Sequence, residues 1–216
     1  MLERRPRRPV HSAIIFIMHL ETHFDGNILL LRIANPPVNS LSWELRKQLH
    51  HAFTVSAADA RIDAVILYGA GQYFCAGGDL RELGTPAASA PPRLSADVLL
   101  AIERCEKPVI AAIHGAAIGG GSELALACHY RIALDSTRIA LPKVQHGIIP
   151  LSGTLRLARL WGIARALPMM PENLRCFDSL RIETHIDVLR NAHHDAANFR
   201  LRPIRIQAQI RQAIQD

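Results

Sequence analysis

One stretch limits the folds open to this chain more than any other. Val109-Ile-Ala-Ala-Ile113 is an unbroken apolar run of strand length, Gly115-Ala-Ala-Ile-Gly-Gly-Gly121 follows it, and Ser122-Glu-Leu-Ala-Leu-Ala-Cys128 reads as a helix. A strand apolar on both faces that runs through glycines into a helix argues for an α/β architecture with a largely parallel sheet. Glycines also let a backbone approach a ligand closely, and the first N–H groups of a helix have no intrahelical partner. With the helix dipole, those donors make a site for an anion or a developing oxyanion. The same pattern describes a tight structural turn, and both readings stand at this point. Two nucleotide-binding patterns do not fit. A dinucleotide fold asks for Gly-x-Gly-x-x-Gly with an acidic residue ~20 positions on. Here the order is Gly-x-x-x-Gly-Gly-Gly, and the candidate acid, Asp135, lies past a helix with no clean strand ending before it. The Gly-Lys-Ser/Thr of a phosphate-binding loop is absent.

The flanking sequence supports the same architecture. Asn27-Ile-Leu-Leu-Leu-Arg-Ile33 is an apolar β run, broken by the turn chemistry of Ala34-Asn-Pro-Pro-Val-Asn39. Ser40 or Ser42 can cap a helix that carries Leu45, Leu49 and Phe53 at helical spacing. Ala64-Val-Ile-Leu-Tyr68 is a second buried strand ending at Gly69-Ala-Gly71. Phe74-Cys-Ala-Gly-Gly-Asp79 reads as a loop, Leu80 as the start of a short helical turn, and Thr85 to Pro92 as a flexible loop. Ser95 to Cys105 reads as a helix closed by Lys107-Pro108, and Tyr130-Arg-Ile-Ala133 and Arg138-Ile-Ala-Leu141 as further strands. Leu201 to Ile210 fits a strand or a helix equally, because Ile206, Ile210 and Ile214 also share a helical face.

The second glycine turn, Ala76-Gly-Gly-Asp79, repeats the device without a long helix. Two strand-end turns, each offering one N–H, can grip a single carbonyl oxygen from two sides, as an oxyanion hole for a thioester enolate does. The sequence here resembles the crotonase (enoyl-CoA hydratase/isomerase) superfamily. The matching stretches are Asn35-Pro-Pro-Val-Asn39, Phe74-Cys-Ala-Gly-Gly-Asp79, Lys107-Pro-Val-Ile-Ala-Ala-Ile-His-Gly115, Gly119-Gly-Gly-Ser-Glu-Leu-Ala125 and Leu141-Pro-Lys-Val. Ala127-Cys-His-Tyr-Arg-Ile-Ala133 is most similar to the hydratase half of bifunctional fatty-acid-oxidation enzymes. The resemblance runs from about Met18 to Ala166. It implies a spiral of ββα units, acyl-CoA substrates with CoA carried as part of the substrate and no separate cofactor, and homotrimers or hexamers. It implies oxyanion donors at the N–H groups of Gly78 and Gly120, and a loop of Ala76, Gly77, Asp79 and Leu80 holding the adenine end of CoA.

Hydratases of this family use two glutamates to add water across a 2,3 double bond, and Glu123 matches the first. A carboxylate in the first turn of a helix over an apolar pocket suits general-base work on water, although it is also an ordinary dipole-favoured position. The second glutamate should follow the proline of the Leu-Pro-Glu pattern, and Lys143 stands there. A lysine cannot serve as that carboxylic acid, so hydration is expected to be weakened and isomerase chemistry is equally in question. Lys143 can instead pair with Glu123. The family's Pro-Gly-Ala-Gly-Gly-Thr appears as Pro150-Leu-Ser-Gly-Thr154, one residue shorter, and the resemblance stops after Met170. The helices that cover the acyl pocket and build the trimer have no recognisable counterpart there.

The net charge of +6 invites a nucleic-acid reading, which its distribution removes. Of the 25 basic residues 22 are Arg, half the excess lies in residues 1–17, and aromatics, at 5%, offer no stacking platform. Residues 1–17 are expected to be an extension outside the fold with Met18 as the natural beginning, although their Arg-rich start also fits a transit peptide. Residues 18–167 are expected to be the acyl-CoA domain and 168–216 an unrelated-looking, truncated or frame-shifted tail. No apolar run reaches the ~20 residues of a membrane span. Cys75, Cys105, Cys128 and Cys176 are scattered, as reduced thiols of a cytoplasmic protein are. His114, His129 and His146 are not at metal-ligand spacing, and a serine-protease role for Ser122 is disfavoured by the adjacent glutamate.

Overall fold

The computed structural model describes residues 15–17, 19–134, 136–142 and 151–162. The three isoleucine-rich residues of β1 (Ile15–Ile17) pair antiparallel with β2 (Leu20–Asp25), so part of the expected extension joins the sheet. β2 turns through Gly26 and Asn27 into β3 (Ile28–Ile33), its antiparallel partner, with Asp25 opposite Ile28. The chain then crosses over through α1 (Trp43–Ala58) to β4 (Ala64–Gly69), which lies parallel to β3 with Ile28 opposite Ala64. Ser42 is the N-cap of α1: its side chain accepts the Leu45 N–H at 3.3 Å, and Leu45, Leu49 and Phe53 are fully buried, as their spacing predicts. Burying each of these side chains is worth roughly 1.5–3 kcal/mol, so the helix is held by its packing.

After β4 the chain makes a single tight turn at Leu80–Glu82, a short helix α2 (Pro86–Ser89), a wide five-residue turn at Leu94–Val98 and α3 (Leu99–Glu103). Two expectations change here. The helix read over Ser95 to Cys105 is split into that wide turn and a five-residue helix. The Thr85–Pro92 segment, read as a flexible loop, is fastened. The Arg46 guanidinium is buried and donates to the carbonyls of Ala87 and Ala88 at 2.5 and 3.4 Å and to Glu82 at 3.2 Å. The Trp43 indole N–H donates to the Pro91 carbonyl at 2.8 Å.

β5 (Val109–Ile113) pairs parallel with β4, and β6 (Ala116–Ile118) follows at once. β6 leads into α4 (Gly120–Ala127), after which β7 (Tyr130–Ala133) adds to the free side of β5, again parallel. β8 (Arg138–Ala140) pairs parallel with β6 in a separate two-stranded sheet, and α5 (Leu151–Trp161) packs on α4. The main sheet therefore runs β1-β2-β3-β4-β5-β7, antiparallel at one edge and parallel through its centre. β4, at its middle, is buried at all six positions. One face of this sheet and the helices α1, α3 and α4 share the principal core, with Leu31, Ile33, Leu67, Phe74 and Ile113 among its fully buried residues. The expected α/β architecture is the observed one. α4 begins two residues earlier than the sequence reading places it, and its C-terminal carbonyls are capped by Arg131, whose Nη1 donates to Cys128 O at 2.7 Å and Ala125 O at 3.2 Å. Among the described residues, no helix is long and apolar enough to cross a membrane.

Candidate active site

The two glycine turns of the sequence meet at the N-terminus of α4. Cys75 bridges to Ala117, with the Ile118 N–H on the Cys75 carbonyl at 2.9 Å and the Cys75 N–H on the Ala116 carbonyl at 3.1 Å. This brings the Cys75–Gly78 backbone against the β6–α4 junction. The contact is close enough that only glycine fits: a Cβ on Gly121 would stand 2.1 Å from the Cys75 carbonyl oxygen, and one on Gly77 would stand 2.5 Å from that of Ile118. Gly77 and Gly119 also hold positive φ, +94° and +54°, where a side chain is strained. As a result the Gly78 nitrogen lies 3.5 Å from the point where a Gly120 Cβ would be. Gly120 is buried and Gly78 is exposed at the mouth, and the methyl groups of Leu41 and Leu94 flank the pair.

The outer wall of the Gly78 turn is anchored by the Asn35–Asn39 turn. Asn39, at φ +56°, donates through Nδ2 to the carbonyls of Ala70 and Tyr73 at 2.8 and 2.7 Å, and its Oδ1 accepts the Asn35 N–H at 3.1 Å. The Leu41 N–H then donates to the Gly77 carbonyl at 2.7 Å and the Ala76 N–H to that of Val38 at 3.0 Å. Truncating Asn39 removes the partner of one buried and two partly buried backbone groups. Asn39→Ala is expected to lower stability by roughly 2–4 kcal/mol, read as a drop in the urea midpoint.

Glu123 occupies the first turn of α4, a helix buried along its whole length, and is itself 2% exposed. Its Oε1 accepts the N–H of Gly153 from the first turn of α5 at 3.0 Å. A carboxylate between two helix N-termini is favoured by both dipoles and by this charge-assisted bond. Gly153 is a residue that the sequence reading missed. A Cβ there would stand 2.9 Å from a Leu141 methyl and 3.2 Å from Glu123 Cγ, and a glycine at the start of an amphipathic helix was the available signal. Ser122, by contrast, is fully buried with its hydroxyl directed to the carbonyls of Ala117 and Ala140, 2.6 and 2.8 Å away, which ties α4 to both strands of the small sheet.

The remaining expected site residues fall in two groups. Ala76 and Gly77 form the wall of the turn just described. Asp79 caps the Leu80–Glu82 turn, accepting the Arg81 N–H at 3.0 Å and pairing with the Arg81 guanidinium at 2.7 Å, which holds its carboxyl below the usual range. Leu80 projects into solvent, 82% exposed. Asp79 and Arg81 line an open groove of about 660 Å³ together with His19, Asn35, Ser42 and Glu82. Arg81, an exposed cation beside the expected CoA loop, was likewise not singled out from the sequence. Lys143, His146 and Asp135 lie outside the described residues, as do Cys176, the Leu201–Ile210 segment and the tail.

His129 takes the Val109 N–H at Nδ1 (2.9 Å), and His114 Nε2 donates to the Gly71 carbonyl at 2.8 Å, so both serve the backbone. No group of three possible metal ligands exists among the described residues. Cys75, Cys105 and Cys128 are free and buried, and burial pushes the Cys75 and Cys128 thiols up to about 12. Since the thiolate is the reactive form, peptides containing these two residues are expected to stay unmodified by iodoacetamide at pH 8 in the native protein. They should be alkylated fully in urea, as read by peptide mass.

An α/β core in which two glycine turns meet at the N-terminus of a buried helix with a first-turn glutamate fits one class of protein, and the chain belongs to it. It is a member of the enoyl-CoA hydratase/isomerase family, whose family model matches residues 23–174. It is 44% identical over 145 residues to the peroxisomal bifunctional enzyme of Danio rerio, a match covering 67% of this chain and 20% of that protein. It is 40% identical over 151 residues to a probable enoyl-CoA hydratase of Bacillus subtilis (strain 168), covering 68% and 58%. Among solved structures, Pseudomonas aeruginosa DspI superposes with a TM-score of 0.68 at 31% identity, covering 74% of this chain and 67% of that one. The enoyl-CoA hydratase of Bacillus anthracis superposes at 0.66 and 35% identity, covering 71% and 62%. The chain thus spans less than two thirds of the length of these two sequence relatives.

Proposed function

We propose that this chain acts on acyl-CoA thioesters as a hydratase, with the N–H groups of Gly78 and Gly120 as an oxyanion hole and Glu123 as general base. The observation that carries the reading is the approach of the two glycine turns, with a buried carboxylate one helical turn beyond. In the forward step Glu123 takes a proton from water, the water oxygen bonds to C3, and the C2–C3 π electrons move toward the thioester oxygen. The resulting enolate oxygen carries the charge that two backbone donors stabilise, and return of the proton held by Glu123 to C2 gives the 3-hydroxyacyl thioester and restores the carboxylate. The relative named as a probable enoyl-CoA hydratase supports an enoyl-CoA substrate. Asp79, Arg81 and the groove between them offer polar contacts for the CoA end, with Ala76, Gly77 and Leu80 shaping its entrance. A homotrimeric or hexameric assembly and a cytoplasmic setting belong to the same reading, and no cofactor beyond the CoA of the substrate is required by it.

Crotonyl-CoA hydration by the purified chain, followed as loss of the enoyl absorbance, tests the reading. Turnover that disappears in Glu123→Ala supports it, and no turnover above background sinks it. One sequence observation favours a second reading, an acyl-CoA binding module without turnover: Lys143 stands where the family pattern has its second glutamate. Calorimetric titration with an acyl-CoA separates the two, since binding without hydration is the second outcome. Hydration gained in Lys143→Glu would trace the loss to that one position.

A further inference from the structure

We propose that Glu103 and Arg156 form a positioning pair that holds the Gly153 N–H on the Glu123 carboxylate. The proposal rests on the reading of Glu123 as the base. α5 meets Glu123 through the Gly153 N–H in its first turn, and the fit there is tight, because an added methyl on the Gly153 Cα would press on Leu141 and on Glu123 Cγ. Any slide or rotation of α5 is therefore felt at the carboxylate. The apolar contacts that hold α5, Leu157 against Leu126 and Leu141, are non-directional and fix its distance from α4 better than its rotation.

Direction is supplied by a fork-to-fork ion pair. Arg156 Nε donates to Glu103 Oε1 at 2.7 Å and Nη2 to Glu103 Oε2 at 2.9 Å. The remaining arm of the guanidinium, Nη1, reaches back along α5 to the Ser152 carbonyl at 3.3 Å and to the Ser152 hydroxyl. One planar group thus joins the turn that carries Gly153 to the last residue of α3. α3 packs in turn on α4 through the core that contains Leu99, Ile102 and Leu124, so the path from α3 back to Glu123 is short. The pair closes a triangle of three helices with the Glu123 carboxylate between two of them. The Arg156 and Glu103 side chains are 13% and 35% exposed, so the pair adds a modest increment to stability, while its bidentate geometry specifies orientation. Misplacing a catalytic group by about 1 Å can cost 10²-fold in rate.

The test uses the full chain, 15N-labelled, and follows the amide resonance of Gly153 beside steady-state kinetics. A neutral acceptor bonds this N–H more weakly than a carboxylate, so Glu123→Gln should move its proton upfield and mark what loss of the contact looks like. Glu103→Gln and Arg156→Lys should move it the same way and speed its exchange with solvent, with a thermal midpoint within a few degrees of wild type. Lysine keeps the charge and loses the fork, so its failure to substitute is part of the expectation. With crotonyl-CoA, both variants should lower kcat on the order of tenfold with KM unchanged within about twofold, and the double variant should be no worse than either single one. A Gly153 resonance that stays in place in Glu103→Gln overturns the pair whatever the activity does. If that resonance moves in Glu103→Gln while Glu123→Gln leaves turnover intact, the positioning stands and the assignment of the base falls.

Discussion

Glu123→Gln is expected to lower crotonyl-CoA turnover by about 10²–10⁴-fold, the usual contribution of a general base, and to leave the fold in place. Glutamine has the same shape, and its amide oxygen can still accept the Gly153 N–H that Glu123 Oε1 takes at 3.0 Å. What it cannot do is accept a proton from water. The helix dipoles that favour a negative charge here add only about 0.3–1 kcal/mol to stability, so their loss is a small structural cost. Glu123→Ala is the harsher change: it opens a cavity at a position 2% exposed and leaves the Gly153 N–H buried without an acceptor. A comparison of kcat with the urea midpoint therefore separates chemistry from folding. Turnover within tenfold of wild type in Glu123→Gln would place the base on another residue.

Much of this site was legible because its parts are backbone devices with a sequence signature. A strand–glycine–helix run marks α4, an apolar run with Ser42 ahead of it marks the β3–α1 crossover, and a second glycine pair marks the Gly78 turn. The parts that were missed have no local signature. β2 reads Leu-Glu-Thr-His-Phe-Asp, buried only at Leu20 and paired on both sides by antiparallel neighbours, so neither alternation nor a continuous apolar run announces it. β6 is three residues long and hidden inside the glycine stretch, and its partner β8 is as short. The fastening of residues 85–92 depends on a buried guanidinium from α1, some forty positions earlier in the chain. Gly153 matters only because α5 returns to α4. Each of these is a tertiary event, and local propensity carries no record of it.

Gly121→Ala sets two opposed effects against each other, and their magnitudes decide the sign. Gly121 is the second residue of α4, in its first turn and without a left-handed φ, where alanine is intrinsically better by at most about 1 kcal/mol. Against this, its Cβ would stand 2.1 Å from the Cys75 carbonyl oxygen, 2.8 Å from the carbonyl carbon and 2.9 Å from the Cys75 Cβ. All three belong to the buried Cys75, which is bridged to Ala117 and has no flexible tip to swing away. Either α4 or the Cys75–Gly78 segment must retreat by about an ångström, which strains a packed core by ~1–3 kcal/mol. It also stretches the bond from the Ile118 N–H to the Cys75 carbonyl, at a further cost of ~1 kcal/mol. The sum outweighs the propensity gain, so Gly121→Ala should lower stability by roughly 1–3 kcal/mol. Because the retreat separates Gly78 from Gly120, any turnover should fall further than the unfolded fraction explains. Gly78→Ala is the matched control: nothing lies within 4 Å of its Cβ position, its φ is not in the left-handed region, and its N–H is retained. That variant should stay within ~0.5 kcal/mol of wild type. Urea midpoints for the two variants test the whole arrangement, since a Gly121→Ala protein as stable as the wild type would mean that the Gly78 turn does not rest against α4.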